Sequence, residues 1–125
     1  LIGANPESLS ADPKTLGLLF ESLVLHDLKV YAAVNDASVS HYHDGDDLEV
    51  DAIVHRNDGS WMAVEIKLGS PQVEEASENL NRLERKMVEH GEKPPVSKCV
   101  IIGYGMPSHM TSDGVRVIPI DTLGV

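Results

Sequence analysis

Two carboxylates and a lysine, Asp51, Glu65 and Lys67, are the residues of this chain whose types and spacing best fit a chemical site. Carboxylates set directly opposite each other on a sheet repel by roughly 0.2–1 kcal/mol, and by more where the sheet is covered. A hard divalent cation such as Mg²⁺ or Mn²⁺ would offset that repulsion, since Mg²⁺ takes one or two protein carboxylates and completes its shell with water and phosphate oxygens. The Lys67 ammonium could orient or help deprotonate a metal-bound water, or neutralise charge that develops on a phosphate. The alternative is a solvated strand end in which Lys67 pairs with Glu49 and Glu65.

The three-residue turn Asn57-Asp58-Gly59 sets the register that brings these residues together. Residues 49–55 and 61–68 alternate as two antiparallel strands around it. A three-residue turn commonly ends in a left-handed residue that forms a bulge, and its glycine stands where a side chain would be penalised. Asp51 then faces Glu65, whereas a two-residue turn would put them on opposite faces of the sheet.

The same register divides the hairpin into two faces of different chemistry. One face is wholly apolar and consists of Val50, Ala52, Val54, Met62, Val64, Ile66 and Leu68. The other face gathers its charged residues at one end, and these are Glu49, Asp51, Glu65 and Lys67. The hairpin is therefore predicted to present both carboxylates and the lysine together on a single face.

A helix is predicted from Asp12 to about Val34. Asp12 is a capping residue, and the proline after it suits the first helical position. Apolar residues recur at helical spacing nearly all round this helix. Glu21 therefore lies among apolar neighbours, where a lone carboxylate is costly unless it is paired or bound to a metal. The alternative is that Glu21 bonds to a backbone amide or to Arg56.

The remaining elements complete a mixed sheet covered by helices. Besides the first helix and the hairpin, the pattern predicts a strand at 39–43, a turn at 44–47, a helix from Ser70-Pro71 to about His90, and strands at 96–103 and 115–120. The order is α-β-β-β-α-β-β. The connection from residue 68 to residue 96 should be a right-handed crossover, so that the two strands it joins run parallel. The fold class is thus predicted to be mixed α/β.

Three segments of the chain carry a resemblance to known proteins. Asp51 followed by Glu65-Ile66-Lys67 matches the Asp...(Asp/Glu)-x-Lys signature of restriction-endonuclease-like nucleases, written PD-(D/E)xK, with Val50 in place of the proline. Together with residues 16–24, 48–51 and 64–68, this pattern resembles the uncharacterised domain found C-terminal to AAA-type P-loop ATPase modules in bacterial and archaeal proteins.

The resemblance implies one restriction-endonuclease-like domain at residues 12–125, preceded by a linker at residues 1–11 from a missing upstream region. It implies Asp51 and Glu65 as metal ligands and catalytic residues, Lys67 as a catalytic residue, and Glu21 as an acidic residue that the first helix supplies to the site. The implied partner is an upstream ATPase module of the same protein. This chain has no G-x-x-x-x-G-K-[ST] loop, so ATP would bind only in that upstream module.

Composition predicts one small domain in a reducing compartment. The chain has 125 residues, of which 42% are hydrophobic, and its single cysteine, Cys99, lies in an apolar run typical of a core. The N-terminus lacks a basic-plus-apolar signal peptide, and the apolar runs fall short of the roughly 20 residues that a membrane helix needs. We therefore predict a cytoplasmic protein without a membrane partner.

Net charge disfavours nucleic acid as a partner without excluding it. The formal charge is −10 at pH 7, and most of the excess lies in residues 1–64, whereas proteins that bind nucleic acid usually have a basic face. The basic residues Arg82, Arg85 and Lys86 share one side of the second helix. They could bind phosphate, but we expect a solvated face paired with Glu78, Glu84 and Glu89. His41, His43 and the aspartates at 44–47 match no zinc or calcium spacing and predict a solvated turn.

Two functions from different classes follow. In the first, the chain is a metal-dependent phosphodiesterase in which Asp51 and Glu65 hold Mg²⁺, the Ile66 carbonyl is a further candidate ligand, Lys67 serves the attacking water and Glu21 adds a second carboxylate. In the second, it is a non-catalytic regulatory or interaction domain that keeps the nuclease-like fold and docks against its ATPase module or another protein. The acidic surface favours the second function, and the complete Asp...Glu-x-Lys set favours the first. The substrate, the metal preference and the oligomeric state stay open.

Overall fold

A computed structural model describes residues 12–120 as one six-stranded mixed sheet flanked by helices, which confirms the predicted fold class. The elements are α1 (Pro13–Val34), β1 (Ala37–His43), β2 (Glu49–Arg56), β3 (Trp61–Gly69), a 3-10 turn (Ser70–Gln72), α2 (Val73–Glu89), β4 (Ser97–Tyr104), β5 (His109–Met110) and β6 (Arg116–Pro119). The strand order in the sheet is β1-β2-β3-β4-β6-β5. The predicted linker at residues 1–11 lies outside the described residues, as do residues 121–125. The restriction-endonuclease-like assignment itself stays a prediction.

Helix α1 begins as its cap residue predicts. The Asp12 side chain accepts a hydrogen bond from the Thr15 backbone N–H at 3.2 Å, and Pro13 occupies the first turn. Only Val24 and Ala32 of this helix are buried, although apolar residues surround it. Its large exposed side chains are Leu18, Leu23, Val30, Tyr31 and Val34. An apolar helix was therefore predicted correctly, but much of its surface is uncovered.

The turn between β2 and β3 has the predicted conformation. Gly59 has φ +89°, which is the left-handed region that glycine adopts without penalty, and the Arg56 N–H donates to the Ser60 carbonyl at 2.9 Å. The register runs from His55 opposite Trp61 to Ala52 opposite Val64. This is the predicted register.

The predicted apolar face of β2 is wrong at Val50. Strand β1 pairs Ser40 with Ile53 but Tyr42 with Val50, so β2 carries one extra residue between these pairs. This bulge turns Val50 toward the core shared with α2, whereas Ala52 packs in the core beside α1. The bulge places Asp51 at the point where the strand changes face.

The crossover from β3 through α2 to β4 is parallel, as predicted. Helix α2 buries Val73, Ala76, Leu80 and Leu83 at helical spacing, so its stripe packs on the sheet. Cys99 is a free, buried thiol of β4. The two-residue strand β5 was not predicted, because a strand of that length has no periodicity to detect. No helix among residues 12–120 is long and apolar enough to cross a membrane.

Candidate functional site

Asp51 binds across the hairpin with its side chain. The paired residues of β2 and β3 end at Ala52 opposite Val64, and Asp51 lies just beyond them. Its Oδ2 accepts a hydrogen bond from the Ile66 backbone N–H at 2.8 Å. The bulge in β2 supplies the freedom for this arrangement, since it releases Asp51 from regular alternation. The carboxylate is thereby fixed between β2 and β3.

Glu65 is one of the few buried polar residues among those described, with 3% of its surface exposed. Its Oε1 accepts a hydrogen bond from Asn79 Nδ2 at 2.8 Å, and its Oε2 lies 3.4 Å from Lys67 Nζ. Asn79 also donates to the Glu49 carbonyl at 2.6 Å, so α2 is joined to the start of β2 and to the middle of β3. The sequence analysis did not identify Asn79 as a site residue. Its position in the second helix, one residue before the buried Leu80, was the only sign that it could lie near the sheet.

Burial and the neighbouring carboxylate of Asp51 raise the pKa of Glu65 to about 8. A hydrogen bond from the protonated Glu65 to Asp51 adds to the shift. At neutral pH and without a cation, Glu65 therefore carries a proton beside Asp51. The two carboxyl groups are therefore coupled, and a positive charge in the site, either this proton or a bound cation, offsets their repulsion.

Glu21 reaches the same cluster from α1. Its pKa is raised by burial first and then by the charge of Asp51, to which it also hydrogen-bonds. The charges of Lys67 and His41 act in the opposite direction. The sequence prediction that Glu21 points toward the end of the sheet that holds Asp51 is therefore confirmed, whereas its chemical role stays a prediction.

Lys67 is held in its charged form. Its burial disfavours the ammonium, but the carboxylates of Glu65 and Asp51 outweigh that effect and raise the pKa of Lys67 above its usual value. A lysine in this state is a poor proton acceptor at neutral pH. It is suited to stabilise negative charge.

Two openings meet at this cluster. The first, which we name the acidic cleft, has a volume of about 620 Å³, lies between the hairpin and α2 and contains Asp51, Glu65 and Lys67. The second, which we name the α1 groove, has a volume of about 380 Å³ and is lined by residues of α1, β3 and the end of β4, among them Glu21 and Lys67. Lys67 lies in both. Asp51 and Glu65 thus share one opening, and Glu21 faces the other.

The predicted metal ligands remain a pair. Within residues 12–120, no group of three or more His, Cys, Asp or Glu side chains is placed to hold a metal ion. Mg²⁺ commonly binds through one or two carboxylates, so the pair of Asp51 and Glu65 fits its needs. Such an ion would bind the carboxylate oxygens and offset their mutual repulsion. It would also displace the proton held on Glu65.

The basic residues of α2 have other partners than the sequence predicted. Lys86 Nζ lies 2.6 Å from Asp44 Oδ2 and 2.6 Å from Asp46 Oδ2, and Arg82 donates to the Asp46 carbonyl. These contacts hold the turn after β1 against α2. Lys86 therefore anchors the turn, and the predicted pairing with glutamates of its own helix is wrong for Lys86.

Glu49 also departs from its predicted partner. Its carboxylate lies 3.3 Å from His41 Nε2 and 4.0 Å from His43 Nδ1 on the neighbouring strand β1. His41 is close to the site as well, since its Nδ1 lies 3.4 Å from the Asp51 carbonyl oxygen. The alternative in which Lys67 pairs with both glutamates thus holds for Glu65 only.

The raised pKa of Glu65 predicts that the metal-free chain loses stability as pH rises. Between the unfolded value of 4.5 and the folded value of about 8, the folded state keeps a proton that the unfolded state has released. The free energy of unfolding should therefore fall by on the order of a few kcal/mol across this window and level off above about pH 8. Urea unfolding at several pH values measures it. Glu65→Gln should show a much shallower slope, with a remainder due to Glu21, and an equal slope in both proteins would contradict the assignment.

One comparison with known proteins gives a match. A family model described as "Domain of unknown function (DUF4143)" matches residues 16–123. No curated protein and no solved structure matches the chain. The matched range includes both strands of the hairpin, Glu21, the whole of α2 and α1 from residue 16 onward.

Proposed function

The chain belongs to the family of domains of unknown function DUF4143, and because this membership assigns no activity, we propose from the site itself that it is a metal-dependent phosphodiesterase domain acting on nucleic acid. The resemblance to restriction-endonuclease-like nucleases points in the same direction. DUF4143 is commonly a C-terminal domain of AAA-type ATPases. The proposal accordingly places this chain behind an ATPase module, which would bind the ATP.

The observation that carries the proposal is the pair of buried Glu65 and half-buried Asp51 with Lys67 beside it. A pure scaffold gains nothing from two carboxyl groups that compete for a proton in a covered site, since such a pair opposes folding once both are ionised. The same arrangement is useful where a cation and a phosphate are to be bound. The energetic cost is then the sign of a functional site.

Asp51 and Glu65 would hold Mg²⁺ or Mn²⁺, and the Ile66 carbonyl is a further candidate ligand. When bound, the ion supplies polarisation of the phosphoryl oxygens and a lower pKa of its water. Asp51 is oriented for this role by the Ile66 N–H, and Glu65 by Asn79. These hydrogen bonds fix both carboxylates before any ligand arrives, which is the preorganisation that catalysis needs.

Lys67 and Glu21 would act on the substrate side. The ammonium of Lys67 remains charged at neutral pH, so it is assigned to the stabilisation of negative charge on the phosphate and not to the deprotonation of water. Burial and the charge of Asp51 raise the pKa of Glu21. Glu21 is therefore a candidate for proton uptake or release from the α1 side.

The test is a calorimetric titration of the full chain with Mn²⁺ and with Mg²⁺. Wild type should show one saturable site, whereas Asp51→Asn should show weak binding or none. Because Glu65 must lose a proton to become a ligand, the affinity should increase as pH rises toward about 8. Asp113→Asn, which changes an exposed carboxylate away from the site, is the matched control. Absence of saturable binding up to millimolar metal, with and without DNA, would reject the proposal.

A second candidate function is a non-catalytic interaction domain. The observation in its favour is the row of exposed apolar side chains on α1, which includes Leu23, Val30, Tyr31 and Val34. In this alternative, α1 docks against the ATPase module, and the carboxyl pair is a remnant of the nuclease-like fold. A folded wild-type chain that binds neither Mg²⁺ nor Mn²⁺ would favour this function.

A further inference from the structure

Two openings lead to Lys67, and their charges differ. The acidic cleft is lined by six acidic residues, Asp47, Glu49, Asp51, Glu65, Glu75 and Glu78, against two basic residues. In the α1 groove, the charged lining residues are two lysines, Lys14 and Lys67, and one acidic residue, Glu21. A polyanion is repelled by the first opening and attracted by the second.

The α1 groove also has an aromatic side chain at its mouth. Tyr104, at the end of β4, is 61% exposed and lies opposite Gly69 in the parallel ladder. A Cβ added at Gly69 would stand 3.0 Å from Tyr104 Cζ, so the ring packs directly against the glycine backbone. One side of the ring is thus held by the protein, while most of the residue remains open to solvent.

Space is also available at another position that lines this groove. Gly17 of α1 lines the groove, and a Cβ added there would meet no atom within 4 Å. A held aromatic ring, two lysines and an open wall are the parts from which sites for single-stranded nucleic acid are built, because bases stack on the ring and phosphates bind the cations.

We propose that the α1 groove is the substrate entrance, that it binds single-stranded nucleic acid with a base stacked on Tyr104 and phosphates on Lys14 and Lys67, and that the strand does not enter through the acidic cleft, whose charge repels it. This inference rests on the proposed phosphodiesterase function for its biological meaning. The binding step itself is independent of catalysis. The net charge of −10 therefore restricts the direction from which nucleic acid enters and does not prevent its binding.

The experiment is fluorescence anisotropy with a labelled oligothymidine of about eight nucleotides, and with a blunt hairpin duplex, in low salt and Ca²⁺. Wild type should bind the single strand more tightly than the duplex, whose bases are not free to stack. Tyr104→Ala should weaken single-strand binding about tenfold, and Tyr104→Phe, which keeps the ring, should bind like wild type. Tyr31→Ala is the matched control, since Tyr31 is 62% exposed on α1 but lies outside the groove.

The contribution of Lys14 is measured by the salt dependence of binding. The slope of log affinity against log salt should be lower by about 0.7 in Lys14→Ala, as expected for the loss of one phosphate contact to a single strand. Lys29→Ala, on the same helix outside the groove, should leave the slope unchanged.

Two outcomes separate this inference from the proposed function. If wild type binds the oligonucleotide with the expected dependence on Tyr104 but does not cleave it with Mg²⁺ or Mn²⁺, the groove stands and the catalytic proposal fails. If wild type cleaves nucleic acid while Tyr104→Ala retains full affinity and an unchanged KM, the groove fails and the catalytic proposal stands. No binding by wild type, or equal losses in Tyr104→Ala and Tyr31→Ala, would also overturn the groove.

Discussion

Replacement of Lys67 by methionine should lower metal-dependent cleavage of an oligonucleotide by about a hundredfold or more, because loss of a positioned charge at a developing anion typically has an effect of this size. Methionine keeps most of the length of the side chain and removes only its charge. The fold should survive, since the raised pKa of Glu65 allows this residue to remain protonated when the charge of Lys67 is removed. Initial rates with Mg²⁺ and Mn²⁺, together with circular dichroism, measure both effects.

Lys98→Met is the matched control for this loss. Lys98 is another largely buried lysine of the sheet, with its Nζ 2.7 Å from Glu84 Oε1, and it lies outside the acidic cleft. Folded Lys98→Met protein should cleave the oligonucleotide at the same rate as wild type. Equal cleavage by Lys67→Met and Lys98→Met would show that the observed activity does not come from this site.

Lys67→Arg distinguishes a charge from a base. Arginine keeps the positive charge but cannot accept a proton from water at neutral pH. Because the carboxylates around Lys67 raise its pKa, we expect Lys67→Arg to retain part of the activity that Lys67→Met loses. An arginine variant as inactive as the methionine variant, together with a rate that depends on an ionisation below about pH 10, would assign the role of base to Lys67.

The hairpin could be predicted from the sequence because its determinants are local. The glycine at position 59 and the alternation of the two strands are enough to fix the register. The bulge in β2 depends instead on how β1 pairs with it, a contact between segments that no pattern in either one specifies. The predicted face of Val50 was therefore wrong, although the predicted pairing of the two hairpin strands was correct.

The site shows the same division between local and long-range information. Glu21 was placed near Asp51 by the resemblance to the nuclease-like family, since the apolar helix alone left a backbone amide or Arg56 open as its partner. The hydrogen bond from Asn79 to Glu65 depends on how α2 lies over β3. The contact of the Tyr104 ring with Gly69 depends on the pairing of β4 with β3. These contacts arise from packing between distant segments, so residue types and spacing gave little sign of them.

Asp51→Asn should fold as stably as wild type without metal, or more stably, and should lose all stabilisation by divalent cations. The asparagine side chain keeps a carbonyl oxygen that can accept the Ile66 N–H, so the hydrogen bond that fixes residue 51 is preserved. It removes the charge that opposes ionisation of Glu65 and Glu21. For wild type, metal at about 100 times its dissociation constant should add roughly 2.7 kcal/mol to the free energy of unfolding. Thermal and urea unfolding with and without Mg²⁺ or Mn²⁺ measure the difference.

Asp51→Ala separates the structural role of this residue from its role toward metal. Alanine leaves the Ile66 N–H without its partner, which should lower the free energy of unfolding by about 1–3 kcal/mol relative to Asp51→Asn. Both variants should be indifferent to divalent cations, so that only stability distinguishes them. A structural ion-pair network predicts the opposite order, since removal of one charge would then leave Lys67 without its compensating carboxylates. An Asp51→Asn variant that is strongly destabilised, beside a wild type that Mg²⁺ and Mn²⁺ do not stabilise, would therefore mean that these residues hold the fold together and do not form a catalytic site.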